Sequence, residues 1–264
     1  MNTILIVGCG NMGGAMLAGW LAGGLDPARF TVVDPVLAEA PAGVRLLREV
    51  PSGAFDVVLL GIKPQALGEV APALEPATRG ALVLSILAGA ELATLAARFP
   101  AARALVRVMP NLAAAIGKSP LGLYAQGLDQ AGRGAVEALL TPLGTAEWLA
   151  SEDQLDAVTA LAGSGPAFVY RFIAALAEGG AALGLDPAQA DRLARAMVEG
   201  AALLAADSAE TPAELARRVT SAGGTTAAGL AVLDADQALT GLIEQTLRAA
   251  RDRGAELAEA ARQR

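Results

Sequence analysis

Apolar residues in the first half of the chain fall in short runs separated by polar turns and helical stretches. Thr3–Val7, Phe30–Val33, Asp56–Gly61, Ala81–Ile86, Ala104–Val108 and Leu121–Tyr124 have the character of strands. Several are apolar without a break, as strands of a parallel sheet covered on both faces must be. Helical spacing falls between them, as in Gln65–Leu74 and Glu91–Phe99. The alternation predicts an α/β half built on a doubly wound parallel sheet.

Beyond about Glu152 the strand-like runs stop and alanine-rich helical patterns take over. Helices are expected at Asp153–Leu161, Pro166–Leu183, Pro187–Ala206, Pro212–Thr220, Thr226–Leu233 and Gln237–Arg262. Pro166, Pro187 and Pro212 fit first helical turns, where a missing N–H costs nothing. Asp186 and Thr211 stand where N-caps belong. These signs divide the chain into residues 1–151, an α/β domain, and 152–264, an all-α domain. Hydrophobic residues make up 54% of the chain. Helices apolar on more than one face need a second surface to bury against, and a homodimer through the C-terminal half supplies one. A monomer with alanine-coated helices would show the same hydropathy.

The first strand leads into Gly8-Cys9-Gly10-Asn11-Met12-Gly13 and then into a helical pattern. This G-x-G-x-x-G between strand and helix fits a dinucleotide-binding fingerprint of the Rossmann type. One glycine makes the tight turn, one admits the pyrophosphate, and one lets helix and strand pack closely. Asp34 ends the second strand about twenty residues on, where an acid can bind a ribose hydroxyl. Polar residues collect at other strand ends: Lys63-Pro64-Gln65, Ser85, and Arg107 to Asn111. In an open α/β sheet those ends border the ligand crevice. A solvated loop lysine is the alternative for Lys63, and its place at a strand end favours the crevice.

A second glycine-rich feature lies in Val219–Asp234, VTSAGGTTAAGLAVLD. Gly223 and Gly224 precede Thr225 and Thr226 at the start of a helical run. Unpaired N–H groups and the helix dipole make such an end attractive to a carboxylate or phosphate, and glycines clear the approach. An ordinary loop with a Ser/Thr cap has the same composition.

Composition narrows the chemistry. The 264 residues carry a net charge of −7 and no basic tract, which argues against nucleic acid as a partner. No run of about 18 uninterrupted apolar residues suggests a membrane span. Ala160–Ala177 comes nearest, broken by Gly163, Ser164, Gly165, Pro166 and Arg171. The chain enters a strand almost at once, with no leader-like segment, so a cytoplasmic enzyme is expected. Its one cysteine, Cys9, excludes an intrachain disulfide and suits packing better than redox chemistry. Histidine is absent, which removes His-based acid–base catalysis and His metal sites, and no metal site is expected. Lys63 and Lys118 are the only lysines. Chemistry must come from a cofactor, backbone dipoles, hydroxyls or carboxylates.

In this order GCGNMGGAML (Gly8–Leu17), GIKPQ (Gly61–Gln65), SILAG (Ser85–Gly89), VRVMPN (Val106–Asn111), AGSGPAF (Ala162–Phe168) and VTSAGGTTAAGLAVLD resemble the pyrroline-5-carboxylate reductase family. The resemblance spans essentially the whole chain and is most specific at GGTT. It implies hydride transfer from NADPH or NADH to the C=N carbon of 1-pyrroline-5-carboxylate, giving L-proline. It also implies a helical C-terminal dimerisation domain, with dimers often assembled further into decamers. The substrate pocket would combine the cofactor domain of one subunit with helices of its partner. By resemblance, Gly223, Gly224, Thr225 and Thr226 would hold the substrate carboxylate, with the Thr226 hydroxyl near the ring nitrogen. Gly8, Gly10, Asn11, Met12 and Gly13 would hold the pyrophosphate, Asp34 the ribose, and Lys63, Pro64, Ala88 and Asn111 would line the cofactor cleft.

Three departures from the family pattern touch the pocket side. Ala222 replaces a usual proline, Leu112-Ala113 a usual Thr-Pro pair, and Lys118-Ser119 a usual small residue. Asp34, followed by Pro35, Val36 and Leu37 and by no nearby arginine, favours NADH at least as well as NADPH, although the family often prefers NADPH. Other readings are a reductase of another cyclic imine, a β-hydroxyacid dehydrogenase, or a non-enzymatic dinucleotide-binding regulatory module. The dehydrogenase would need a lysine in Gly163–Glu178, where only Arg171 is cationic. Glu210, upstream of the Pro212 helix, fits a first-turn dipole partner.

Overall fold

The structure, a computed structural model, describes residues 1–262; positions 263 and 264, the end of the expected helical domain, lie outside the described residues. Eight strands form one sheet: β1 Ile4–Val7, β2 Phe30–Val33, β3 Arg45–Leu47, β4 Val57–Leu60, β5 Leu82–Ser85, β6 Ala104–Met109, β7 Ser119–Ala125 and β8 Gly144–Trp148. Their order is β3-β2-β1-β4-β5-β6-β7-β8. Every neighbouring pair is parallel except β6–β7, which is antiparallel. The doubly wound sheet is therefore present, with one reversed junction. Two edge strands were not anticipated. Arg45–Leu47 is short and partly exposed, and Gly144–Trp148 alternates exposed and half-buried residues. Neither carries the apolar run that marks the buried strands.

Helices cover both faces. α1 (Asn11–Ala22), α2 (Leu67–Thr78), α3 (Leu92–Arg98) and α4 (Gln130–Leu140) join the strands. Ile4, Ile6, Val57 and Leu59 meet Met16, Leu17 and Trp20 of α1 and Leu139 and Leu140 of α4 on one face. Leu5, Val7, Val58 and Leu60 meet Leu67, Ala71 and Leu74 of α2 and Leu95 of α3 on the other. The period-2 alternation along each strand thus feeds two cores at once. Trp20 is fully buried, and its indole N–H donates to the Leu139 carbonyl at 2.7 Å, so its polar atom is satisfied. α2 keeps its course despite Pro72 and Pro76, both on its exposed side, where the freed carbonyls meet water.

The remaining helices are α5 (Gln154–Val158), α6 (Gly165–Ala182), α7 (Pro187–Asp207), α8 (Pro212–Arg218), α9 (Thr225–Leu233) and α10 (Ala238–Arg262). Asp186 caps α7 by accepting from the Gln189 N–H at 3.0 Å. Thr211 and Glu214 form a reciprocal capping box on α8. Glu214 is therefore the first-turn acid; Glu210, expected in that role, pairs with Arg218 instead. One compact unit comprises Met1–Gly163 with the chain from Ala250, and a second comprises Ser164–Ala249.

A π-turn at Thr159–Gly163 joins α5 to α6. The resulting Gln154–Ala182 run is long and apolar enough to cross a membrane, by length and composition alone. This corrects the expectation that no such stretch exists. Gly163 to Pro166 were expected to interrupt it, but Pro166 occupies the first turn of α6, where proline is compatible with helix. Only 6% of the apolar window is buried.

α1 lies close to the turn Leu112–Ile116 because Gly19 has no side chain: a Cβ there would overlap the Ala114 carbonyl oxygen and lie 2.8 Å from Leu143. Both neighbours are buried. Gly19→Ala should lower the unfolding free energy by about 1–3 kcal/mol through overpacking. Urea denaturation monitored by tryptophan fluorescence measures it; an unchanged midpoint would show that the contact relaxes freely.

Candidate active site

The sheet order reverses beside β1, where the chain winds one way through β2 and β3 and the other way from β4 onward. Ligands bind in such a crevice, at the carboxyl ends of the strands. Gly8 follows β1 with φ +86, and a Cβ there would lie 2.8 Å from the Gly61 backbone. A Cβ on Gly13 would lie 2.5 Å from the Gly8 carbonyl oxygen. Gly10 is different, since nothing lies within 4 Å of its Cβ position. Two glycines are thus required by the protein's own packing, and the middle one faces open space.

Gly10 is the N-cap of α1 and offers no side-chain cap. The main-chain N–H groups of Asn11, Met12 and Gly13 have no acceptor within the described protein. Three unpaired donors, the positive end of a helix and an unobstructed approach together fit a dinucleotide pyrophosphate.

Asp34 ties this turn to the loop after β2. Its Oδ2 accepts from the Cys9 N–H at 2.8 Å. Its Oδ1 accepts from the N–H groups of Val36 at 2.8 Å and Leu37 at 2.9 Å. Partial burial alone would raise the carboxyl pKa; the three N–H bonds and the charge of Arg48 outweigh it and hold the pKa below the usual value. Burial, and then the Asp34 charge, push the Cys9 thiol up to about 11. Such a thiol stays protonated and inert at neutral pH, in keeping with a packing role.

Lys63 is exposed at the head of the Pro64–Ala66 turn, past β4, and Ala88 is exposed past β5. Asn111 is buried, with both side-chain polar atoms engaged: Oδ1 accepts from the Ala113 N–H at 2.9 Å, and Nδ2 donates to the Ala162 carbonyl at 3.0 Å. Its N–H donates to Ser119 Oγ at 2.9 Å. Asn111 therefore shapes the loop after β6. Arg107, at a strand end in the sequence, is buried on β6 and paired with Glu152 at 2.8 Å. The same Glu152 oxygen accepts from the Leu92 N–H at 2.7 Å and so anchors the start of α3.

The second compact unit carries the other glycine-rich feature. Gly223 has φ +71, and Gly224 is the N-cap of α9 with no side-chain cap. A Cβ on Gly224 would collide with Ser221 Oγ. The N–H groups of Thr225, Thr226 and Ala227 and both threonine hydroxyls have no partner within the described protein, and both threonines are exposed. The capped-loop alternative is thus not what forms here: α9 begins bare. Asp34, Lys63, Pro64, Ala88 and Asn111 share the first unit with Gly8–Gly13, and Gly223–Thr226 lie in the second.

Two participants escaped the sequence reading. Glu152 follows no motif, and Arg48 follows an edge strand too short to be recognised. Arg48 Nη1 donates to the carbonyls of Asp34 at 2.9 Å and Leu37 at 2.6 Å. Among the described residues no group of three or more potential metal ligands converges.

A doubly wound sheet with a glycine turn and a bare helix at its switch point defines a dinucleotide-binding protein. Residues 3–89 match the family described as NADP oxidoreductase, coenzyme F420-dependent, and residues 152–257 match the family described as pyrroline-5-carboxylate reductase dimerisation. The chain is 40% identical to the pyrroline-5-carboxylate reductase of Pseudomonas aeruginosa, over 97% of each protein. The solved structure of such a reductase from Coxiella burnetii is 30% identical, with a TM-score of 0.88 over 97% of this chain and 98% of that one. One from Plasmodium falciparum, solved with NADP bound, shares the fold at 22% identity and a TM-score of 0.80 over 96% of each chain. The chain belongs to the pyrroline-5-carboxylate reductase family.

Gly10 separates ligand binding from folding. Gly10→Ala should leave the melting temperature unchanged, because its Cβ meets nothing and its φ of −69 suits alanine. It should weaken NADPH binding by about tenfold or more by crowding the pyrophosphate. Fluorescence titration checks this, and unchanged affinity would move the pyrophosphate away from the turn.

Proposed function

We propose that the chain is a pyrroline-5-carboxylate reductase, which reduces 1-pyrroline-5-carboxylate to L-proline with NADPH or NADH, the last step of proline biosynthesis. The family membership supports the reaction. The observation that carries the reading is the second bare helix N-terminus, at Gly224–Thr226. A protein that only sensed a dinucleotide would need one anion site, at α1. A reductase of a small imino acid needs another for the substrate carboxylate.

A bound NAD(P)H supplies the hydride. The protonated C=N is already electrophilic, so the carbon accepts the hydride, the π pair moves to nitrogen, and the proton already there remains. No strong side-chain acid is called for, which accords with a chain without histidine. The protein's task is to orient its two partners. The N–H groups of Thr225 and Thr226 hold the carboxylate, and the Thr226 hydroxyl lies near the ring nitrogen. Gly8, Gly10, Asn11, Met12 and Gly13 receive the pyrophosphate, and Lys63, Pro64 and Ala88 border the cleft that Asn111 shapes. Arg171 stands where a β-hydroxyacid dehydrogenase would need a lysine, and it pairs with Glu178 at 3.0 Å.

The functional division at 151/152, the homodimer and the cytoplasmic setting belong to the same reading. Within Ser164–Ala249 only Ala190 and Ala194 are buried, while Val169, Tyr170, Phe172, Met197 and Leu204 are exposed. So little internal burial requires an external surface, and a second copy supplies it. Light scattering should give a dimer or a multiple of dimers, including the decamer; a monodisperse monomer would contradict this.

Thr226→Ala tests the site. Wild type should oxidise NADPH or NADH in the presence of 1-pyrroline-5-carboxylate. The variant should lose about 10–100-fold in kcat/KM with little change in cofactor affinity, an effect of about 1.4–2.7 kcal/mol. Full activity in the variant would move the substrate anchor elsewhere. A folded wild type that binds cofactor but turns over nothing would overturn the reaction.

A further inference from the structure

The loop after β2 carries a carboxylate and a guanidinium side by side, and their hydrogen bonds are unequal. Asp34 Oδ1 accepts from two N–H groups, Val36 and Leu37, which fills its lone pairs. Oδ2 accepts from Cys9 and has one site left. A ribose diol bound across both carboxylate oxygens, as the sequence position of Asp34 suggests, therefore finds only one available.

Arg48 is the reverse case. It is exposed, and the two bonds from Nη1 go to neutral carbonyls, those of Asp34 and Leu37. No carboxylate among the described residues forms an ion pair with it. Neutral acceptors fix the guanidinium, and the Asp34 carboxylate, near enough to feel its charge, makes no hydrogen bond to it. Its Nε and Nη2 hydrogens, three of its five donors, have no acceptor in the described protein. A guanidinium held by its stem side and free at its outer edge matches a phosphate in charge and in fork geometry. The end of the second strand is where a dinucleotide-binding sheet receives the adenosine ribose, and an arginine there accommodates a 2′-phosphate.

We infer that Arg48 is the residue that recognises the 2′-phosphate, so that this chain binds the phosphorylated dinucleotide in preference to NAD(H). This rests on the dinucleotide site proposed above, and it reverses the preference read from Asp34 and its chain neighbours alone. No arginine follows Asp34 closely in sequence, but β3 pairs with β2 and returns Arg48 to the same loop. Asp34 then serves as a clamp on the fingerprint turn, its charge spread over three N–H groups, and Arg48 as the specificity residue.

Binding, rather than turnover, tests the assignment. Calorimetric titrations of the full chain would compare adenosine 2′,5′-bisphosphate with adenosine 5′-monophosphate, and NADP⁺ with NAD⁺. Wild type should favour the 2′-phosphorylated member of each pair by about tenfold or more. Arg48→Ala and Arg48→Gln should both erase that preference while leaving the unphosphorylated ligands within about twofold of wild type. The glutamine variant removes the charge while keeping part of the stem and a polar end, and the unphosphorylated ligands report any loss of loop support in either variant. Equal weakening of all four ligands would make Arg48 a loop brace and overturn the inference, as would an unchanged preference in both variants. A wild type that binds NAD⁺ and NADP⁺ equally would sink the Arg48 assignment and spare the dinucleotide site; one that binds none of the ligands would sink both.

Discussion

Three backbone segments meet with no side chain between them where β1 ends, and the rest of the first unit is arranged around that contact. The Gly8 carbonyl lies where a Cβ on Gly13 or on Gly61 would fall, at 2.5 Å in each case. The chain can turn from β1 into α1 this tightly only if all three positions lack side chains. Once it does, the helix start is carried to the carboxyl edge of the sheet with its first N–H groups facing outward. Cores on both faces hold the strands rigid behind it. The functional feature is thus a backbone feature, and side chains matter there chiefly by their absence.

The Asp34 carboxylate links that turn to the next loop. Cys9 lies in the turn and Val36 and Leu37 lie after β2, so one side chain fixes two chain segments of the crevice. Binding three N–H groups stabilises the ionised form and also dilutes its charge. An acid in this position is usually regarded as a ligand for the ribose. Here its hydrogen bonds make it equally a part of the scaffold, and a neighbouring cation is left to face solvent.

The helical unit obeys a different constraint. Two of its helices are well capped, α7 by Asp186 and α8 by Thr211 with Glu214, yet almost nothing within Ser164–Ala249 is buried. Local capping can define such helices, but it cannot stabilise them without tertiary packing. The apolar Gln154–Ala182 run satisfies the length and composition of a membrane span, and it lies in the segment matching the reductase dimerisation family. A segment of the dimerisation family needs an apolar face of this kind to bury against another chain. The same unit leaves the N-terminus of α9 without a side-chain cap, and its first N–H groups without partners in the described protein.

Much of this was legible in the sequence because it is local. Continuous apolar runs gave the buried strands, prolines and caps gave the starts of α7 and α8, and glycine spacing gave both bare helix ends. Hydrogen bonds over one turn and hydrophobic period suffice for these. The edge strands β3 and β8 were missed because an edge needs no apolar run on both faces. The engagement of Asn111 with Ala162, the pairing of Arg107 with Glu152, and the return of Arg48 to Asp34 join residues far apart in the chain. No periodicity encodes such partners; sheet order and strand register bring them together. The sequence by itself determined which backbone positions had to be bare. Only the tertiary structure decided which charges stand beside them, because electrostatic neighbours are set by distance in space and not by distance along the chain.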